Sequence, residues 1–487
     1  MHTPSTLVIG AGPAGLSAAY ELVQHGWKPL VVEQSDLVGG ISRTESYKGN
    51  RFDIGGHRFF TKVEEIEQLW RKVGGHQFRK VKRRSRIYFD GHFFPYPLQF
   101  LPTLRQLGLW RSLDIVISYL KAKITPYKVE ETFEHWTVNR FGRRLFEMFF
   151  RTYTEKVWGI PTNEIGADWA AQRIQGLSLS TAVIGALFPF KDGSIKTLIE
   201  EFDYPVLGPG LMWELFTDEV VRGGGEVRKN IGVTRIDHDG RRVTAVQLQG
   251  SSGAETLTPD QVISTMPLRT LIQSLNPAPP PAVLEAASNL QYRDFIIVVL
   301  MVDHPAVFND NWLYIHAPEV KVGRIQNFKN WSMDMVADPS GTTLGMEYFC
   351  SLGDSLWSMT DEELIALATK ELGQLQFVPG LKVEDATVIR QPKAYPVYDR
   401  SYRDNLAVIK SYLATLTNLQ TIGRNGLHRY NNQDHSMLTG LYAARNLLGE
   451  SHDVWEVNTE RSYHETFMAS EKTRKTGTRV IDEISDF

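Results

Sequence analysis

The chain has 487 residues, 42% hydrophobic and 22% charged, with a formal net charge of −3; these are the proportions of a globular protein with room for more than one core. The near-neutral balance excludes a global attraction to nucleic acid, and the single cysteine, Cys350, excludes an intramolecular disulfide and suits a reducing compartment. No run of about 18 uncharged apolar residues is present to cross a membrane, and the apolar start runs straight into glycines, so a cytoplasmic protein is expected.

The first predicted element is the strand Thr6-Leu7-Val8-Ile9, which turns through Gly10-Ala11-Gly12-Pro13-Ala14-Gly15 into a helix. Gly10 permits the tight turn, Gly12 lets backbone approach phosphates, and Gly15 lets helix and strand pack closely. The helix N-terminus offers unpaired N–H groups and a partial positive charge to a pyrophosphate. The next strand, Pro29-Leu30-Val31-Val32, ends in Glu33, 18 residues after Gly15, where an acidic side chain reaches a ribose hydroxyl pair. Leu37-Val38-Gly39-Gly40 with Ser42-Arg43 continues the dinucleotide theme, and Gly55-Gly56-His57-Arg58 is a second glycine turn.

The basic run Arg79–Arg86 reads as a solvated strand face, with attraction of an anionic substrate or a membrane surface as the alternative. Residues 97–172 read as mostly helical, with aromatics interleaved with basic side chains such as Arg143, Arg144 and Arg151. Short alternating strands are predicted over 225–248, a further strand over Gln261–Thr265, and a buried strand over Phe295–Met301. Four prolines within Asn276–Pro281 mark a domain crossing. A late strand, Leu419–Ile422, enters the turn Gly423-Arg424, followed by a helix over about 437–448. Three separated segments thus share one nucleotide-binding theme, which implies a discontinuous cofactor domain interrupted by insertions.

The N-terminal fingerprint, Gly39-Gly40 with Arg43 soon after Glu33, and the late Gly423-Arg424 turn together resemble the amine-oxidase and UDP-galactopyranose mutase group of flavoproteins. The resemblance implies an α/β fold: a discontinuous Rossmann-like FAD-binding domain over residues 1–65, 190–270 and 405–460, a mainly helical insertion over 66–189, an antiparallel-sheet substrate domain over 271–404, and a helical tail over 461–487. It implies FAD held by Gly10, Gly12, Pro13, Ala14, Gly15, Glu33, Gln34, Gly40, Ser42, Arg43, Gly55, Gly56, His57, Val233, Gly423, Arg424, Asn432, Gln433 and Asp434. A sole NAD site is the alternative reading of the fingerprint. No metal is expected, because the 13 histidines are scattered.

The resemblance extends to Phe149–Gly159 and Gln172-Arg173-Ile174, which are similar to the mutases' aromatic-and-arginine substrate segment. It implies that Tyr153 stacks on uracil, that Trp158 and Phe149 line the pocket, that Arg173 and Arg293 clamp the diphosphate, and that Tyr395, Tyr398 and Tyr430 complete the substrate site. His57 takes the place near the flavin N5. The implied catalytic set is His57, Trp158, Arg173, Arg293, Tyr398 and Tyr430, serving a nucleotide-sugar mutase in which reduced flavin N5 forms a sugar adduct and the ring recloses through another hydroxyl. The chain departs from the mutase pattern at Arg173 (one residue farther from Trp158), Asn432 (for aspartate), His428 (for tyrosine) and the Gly210-Leu211 turn, which lacks an aromatic. The alternatives are an FAD-dependent amine or protoporphyrinogen oxidase and a non-catalytic flavin-binding interaction protein. The implied partner is a UDP-sugar in cell-surface polysaccharide synthesis, with NAD(P)H a candidate external reductant and a homodimer a candidate assembly.

Overall fold

The computed structural model describes residues 3–96, 98, 100–167, 197–198, 201–399, 401–458 and 466–467. Short apolar runs bounded by glycines build a five-stranded sheet in the order Glu226–Arg228, Leu30–Val32, Thr6–Ile9, Gln261–Ser264, Leu419–Thr421, every pair parallel. Parallel strands need crossovers that cover the faces, so the inner strands Thr6–Ile9 and Gln261–Ser264 are buried on both sides, while the edge strand Glu226–Arg228 stays partly exposed. Val8 faces one core with Leu16, Leu22, Trp213, Phe216 and Leu441, contributed by the helices Pro13–Gln24, Gly210–Arg222 and Gln433–Leu447. Its neighbours Leu7 and Ile9 face the other core, with Ile236, Val246 and Leu248 from an antiparallel layer of Ile231–His238, Val243–Gly250 and Gly253–Leu257. The sheet therefore gathers residues more than 400 positions apart into one platform whose strand ends carry the glycine turns.

A seven-stranded mixed sheet forms the second layer, in the order Val383–Pro396, Tyr292–Val302, Thr342–Cys350, Arg324–Asn327, Trp312–Ile315, Ser85–Phe89, His92–Pro95. The run Phe295–Met301 is continuously apolar because both its faces are covered. Ile296, Val298 and Leu300 pack toward the helix Asp361–Leu375, while Phe295, Ile297 and Val299 pack toward Phe52, Phe328 and Trp331. That helix opens on a reciprocal cap: the Thr360 hydroxyl accepts from the Glu363 N–H at 3.2 Å, and the Glu363 carboxylate accepts from the Thr360 N–H at 2.9 Å. Against the Ser85–Phe89 and His92–Pro95 edge of this sheet, the helices Phe100–Leu107, Leu109–Ile124, Phe133–Phe141 and Thr152–Trp158 form an aromatic-rich bundle.

Some elements differ from expectation. The predicted turn at Gly210-Leu211 is the first turn of the helix Gly210–Arg222, whose Gly210 N–H donates to the Thr44 hydroxyl at 2.9 Å. The late helix begins at Gln433, because Asn432 is its N-cap and the His435 Nδ1 accepts from the Asn432 N–H at 3.2 Å. Arg173 and most of the expected tail over 461–487 lie outside the described residues; within that tail, Thr466–Phe467 is a short strand paired with Thr197–Leu198 rather than helix.

Candidate functional site

Two cavities meet at His57. The larger, about 470 Å³, is a groove over the strand ends of the parallel sheet, walled by Gly10, Gly12, Pro13, Ala14, Glu33, Gln34, Gly40, Ser42, Arg43, Val233, Gly423, Arg424, Asn432 and Gln433. The smaller, about 180 Å³, is walled by Gly55, Gly56, His57, Arg58, Tyr96, Trp312, Tyr314, Arg324, Trp331, Tyr395 and Tyr430. His57, Arg424, Asn432 and Gln433 belong to both walls.

The groove is shaped by backbone proximity. Gly10 has φ +99°, and a Cβ at Gly15 would stand 1.9 Å from the Gly10 carbonyl oxygen, so neither position admits a side chain without displacement. Gly12 caps the helix Pro13–Gln24 with no side chain, which leaves the first-turn N–H groups to a ligand anion. The Glu33 carboxylate is fixed by the Ala11 N–H at 2.8 Å and the Ser35 N–H at 2.9 Å. Arg43 is fixed midway, donating to Glu45 at 2.6 Å, to the Gly40 carbonyl at 3.0 Å and to Gln391 at 2.6 Å. Around His57, four wall residues carry buried polar atoms without a hydrogen-bond partner among the described residues: His57 Nδ1, Asn425 Oδ1, Asn431 Nδ2 and Gln433 Oε1. A pyrophosphate cradle at one end, a ribose-reaching carboxylate, and orphaned amide groups at the other fit an elongated dinucleotide with a polar ring system.

The smaller cavity is cationic and aromatic. The Arg424 guanidinium lies 4.8 Å from the Tyr430 ring centroid and 5.6 Å from that of Tyr395, and these two rings stack 5.7 Å apart at 11°. Its Nε donates to the Asn431 carbonyl at 2.9 Å. The Arg58 guanidinium lies 5.3 Å from the Trp312 ring. Arg324 is a cross-strand neighbour of Glu347 and donates to its carboxylate, which also accepts from Gln326 at 2.8 Å. Burial raises the Glu347 carboxyl, and the Arg324 charge opposes that rise. Burial, reinforced by the Arg424 and Arg324 charges, lowers the His57 imidazole to about 3, so it is neutral at physiological pH. Burial likewise pushes the Tyr395 phenol up to about 12.

Several expected site residues lie elsewhere. Arg293 does not reach either cavity: it is buried and spends its donors on the Val157 carbonyl at 3.1 Å, the Lys156 carbonyl at 3.3 Å and the Ser351 hydroxyl at 2.6 Å. It thereby clamps the C-terminal end of the helix Thr152–Trp158, whose left-handed C-cap at φ +67° is Gly159, where a Cβ would also meet the guanidinium at 2.4 Å. Phe149 and Trp158 are packed in the helical bundle's core. Tyr153 stacks on His316 at 4.8 Å and stands behind Tyr314. Tyr398 accepts from the Tyr430 N–H at 2.6 Å and so positions that residue from outside the wall. Gly15 and the buried Asp434 support the groove without lining it. Arg58, Trp312, Arg324 and Trp331 were not anticipated; only Arg58, inside the second glycine turn, carried a local signal.

The sequence pattern of flavin containing amine oxidoreductases matches residues 13–395. The chain belongs to that family. Within it, a Klebsiella pneumoniae protein bearing the name "Probable UDP-galactopyranose mutase" is 27% identical over 176 residues, 34% of this chain and 44% of its own length. The match thus spans less than half of that relative. The coproporphyrinogen III oxidase of Mycobacterium leprae is 25% identical over 452 residues, 85% of this chain and 92% of its own. Among solved structures, a reduced UDP-galactopyranose mutase superposes with a TM-score of 0.81 at 22% identity, covering 94% of this chain and 97% of the other. The cyclohexylamine oxidase of Brevibacterium oxydans gives 0.62 at 16% identity, covering 92% and 99%. These family likenesses give the fold, and they agree with a groove suited to FAD.

Proposed function

We propose that the protein is a flavin-dependent nucleotide-sugar mutase that interconverts the pyranose and furanose rings of a UDP-sugar. The supporting observation is the smaller cavity, which three guanidinium groups (Arg58, Arg324, Arg424) line beside His57, Arg324 being ion-paired with the buried Glu347. A diphosphate leaving group carries roughly two negative charges, and planar guanidinium forks meet phosphate oxygens bidentately. FAD, when bound and reduced, supplies the nucleophile for the anomeric carbon. The chain holds it with the Gly10–Gly15 turn at the pyrophosphate, Glu33 at the ribose, and Arg43, Gly423 and Gln433 beyond.

Arg58 and Arg324 neutralise the departing diphosphate, and Tyr395 and Tyr430 donate phenolic hydrogen bonds. Neutral His57 offers a hydrogen bond at the cavity junction without adding a fourth positive charge. Trp312 and Trp331 present flat faces for a base and exclude water. The test is anaerobic: enzyme reduced by dithionite, in place of NAD(P)H as candidate reductant, is incubated with UDP-galactopyranose and the products are separated by chromatography. Furanose product from reduced enzyme and none from oxidised enzyme is the expected outcome; absence of product in both removes the proposal. The second reading, oxidation of a small organic substrate by oxidised FAD, is favoured by the near-full-length likeness to a coproporphyrinogen III oxidase, and oxygen consumption with a porphyrinogen or an amine is its signature.

A further inference from the structure

The helix Leu109–Ile124 is amphipathic in the reverse sense. Its inward side buries Ile115 and Ala122 against the neighbouring helices, whereas Leu109, Trp110, Leu113, Val116, Ile117, Leu120 and Ile124 are exposed, Trp110 by 82% and Ile124 by 80%. At 3.6 residues per turn these seven side chains fall within about 120° of the circumference, a single outward apolar stripe. Soluble proteins rarely leave such a contiguous stripe uncovered.

Charge says what covers it. Exposed Lys121 and Lys123 lie at the two margins of the stripe, the Lys123 ammonium donating to the Asn139 carbonyl at 3.0 Å, and exposed Arg105 and Lys128 stand beyond its two ends. The helix's one carboxylate, Asp114, lies outside the stripe and is paired with Arg144 at 2.8 Å. A second copy of this face would bring lysines toward arginine and lysine, with no carboxylate in the stripe to meet them. Lipid phosphates would meet them, while lysine stems lie along the apolar surface with their ammonium groups at headgroup level. The helix has 16 residues, and no helix among the described residues is long and apolar enough to cross a bilayer, so the geometry is that of an element lying in the interface.

We propose that the helix Leu109–Ile124 seats the protein on an anionic lipid bilayer, with Trp110, Ile117 and Ile124 inserted among the acyl chains and the lysines on the phosphates. The inference is independent of the reaction assigned to the cavities. The test is co-sedimentation of the full-length, flavin-loaded protein with vesicles of phosphatidylcholine alone and of phosphatidylcholine mixed with phosphatidylglycerol. The expected result is binding to the mixed vesicles that weakens with salt, and little binding to the neutral ones.

Leu113→Glu with Ile117→Glu should abolish sedimentation while flavin content stays unchanged. Lys121→Glu with Lys123→Glu, which leaves all seven residues of the stripe in place, should weaken binding by about tenfold or more. Wild-type protein that stays in the supernatant overturns the proposal, as does equal binding by either double variant. Light scattering identifies the replacement in that event: a dimer made monomeric by the Leu113 and Ile117 changes assigns the stripe to a second copy. A lowered melting temperature in that variant instead assigns it to another segment of this chain.

Discussion

Arg324 and Asp53 are the two side chains whose burial has the sharpest measurable consequence. Arg324 faces the smaller cavity yet is held by Glu347, which is fully buried. Removing one partner of such a pair leaves an uncompensated charge, which typically costs about 3–5 kcal/mol. Arg324→Ala should therefore lower stability by that order in urea unfolding. Arg324→Met combined with Glu347→Gln should recover most of the loss, because neither charge is then stranded. On the proposed function, both variants should bind UDP more weakly than the wild type, and calorimetric titration that finds unchanged affinity in the stable double variant would take Arg324 out of the site. Asp53 lies beneath the second glycine turn, where its carboxylate accepts from the Tyr204 phenol and, at 3.0 Å, from the Thr44 hydroxyl. Burial raises it to about 7, with the two hydroxyls opposing the rise. Its ordinary value is 3.8, so between about pH 4 and 7 the folded state keeps a proton that the unfolded state has released. The contribution of Asp53 to stability is thus full below that window and lost as pH rises through it. Asp53→Asn cannot titrate, so wild type should gain on the variant by about 1.4 kcal/mol per pH unit as pH falls from 7 to 5. Parallel unfolding curves for the two proteins across that range would contradict the assignment.

At the scale of elements, close packing of two helices carries the groove. Gly440, in the helix Gln433–Leu447, lies against the helix Pro13–Gln24 so closely that a Cβ there would stand 2.2 Å from the Ala14 carbonyl oxygen. Gly440→Val should force these helices apart, costing about 1–3 kcal/mol, and should lower flavin content as purified, since both helix N-termini open on the groove. A variant with full flavin and an unchanged melting temperature would show that the helices slide without cost. This contact was not legible in the sequence, because nothing local distinguishes Gly440 from a tolerated helical glycine. The opening turn was legible: strand, three spaced glycines, helix and a later acid lie in one contiguous stretch, and each residue acts on its near neighbours. The arginines mark where that reading stops. Arg293 and Arg324 both lie within the first two residues of strands of the same sheet, and their tertiary neighbours differ. One meets the carbonyls at a helix end, and the other meets Glu347 across the ladder with its guanidinium at the cavity. Register and sheet face decide between clamp and cavity wall, and neither is written in the spacing of residues.

For the whole molecule, the groove is a joint between distant pieces of chain. Its walls come from residues 9–43, 57, 231–233, 265–270, 390–393 and 423–436, contributed by the parallel sheet and its strand ends, the second glycine turn, the antiparallel layer, the edge strand Val383–Pro396 of the seven-stranded sheet and the late helix. A ligand filling it would bridge elements that otherwise touch only along their flanks. Its orphaned amides at Asn425, Asn431 and Gln433 would gain partners at the same time. A ligand that binds only the folded state stabilises it by RT ln(1 + [L]/Kd), about 2.7 kcal/mol at a hundredfold excess over Kd. Stripping the flavin should therefore lower the melting temperature by several degrees, and the loss should be reversed by added FAD in a concentration-dependent way. Hydrogen exchange should locate the loosening at 39–43, 231–233 and 423–436 together, while the strand Tyr292–Val302, buried on both faces away from the groove, stays protected. Exchange that rose equally in the seven-stranded sheet would mean that the cofactor holds the entire fold rather than the joint.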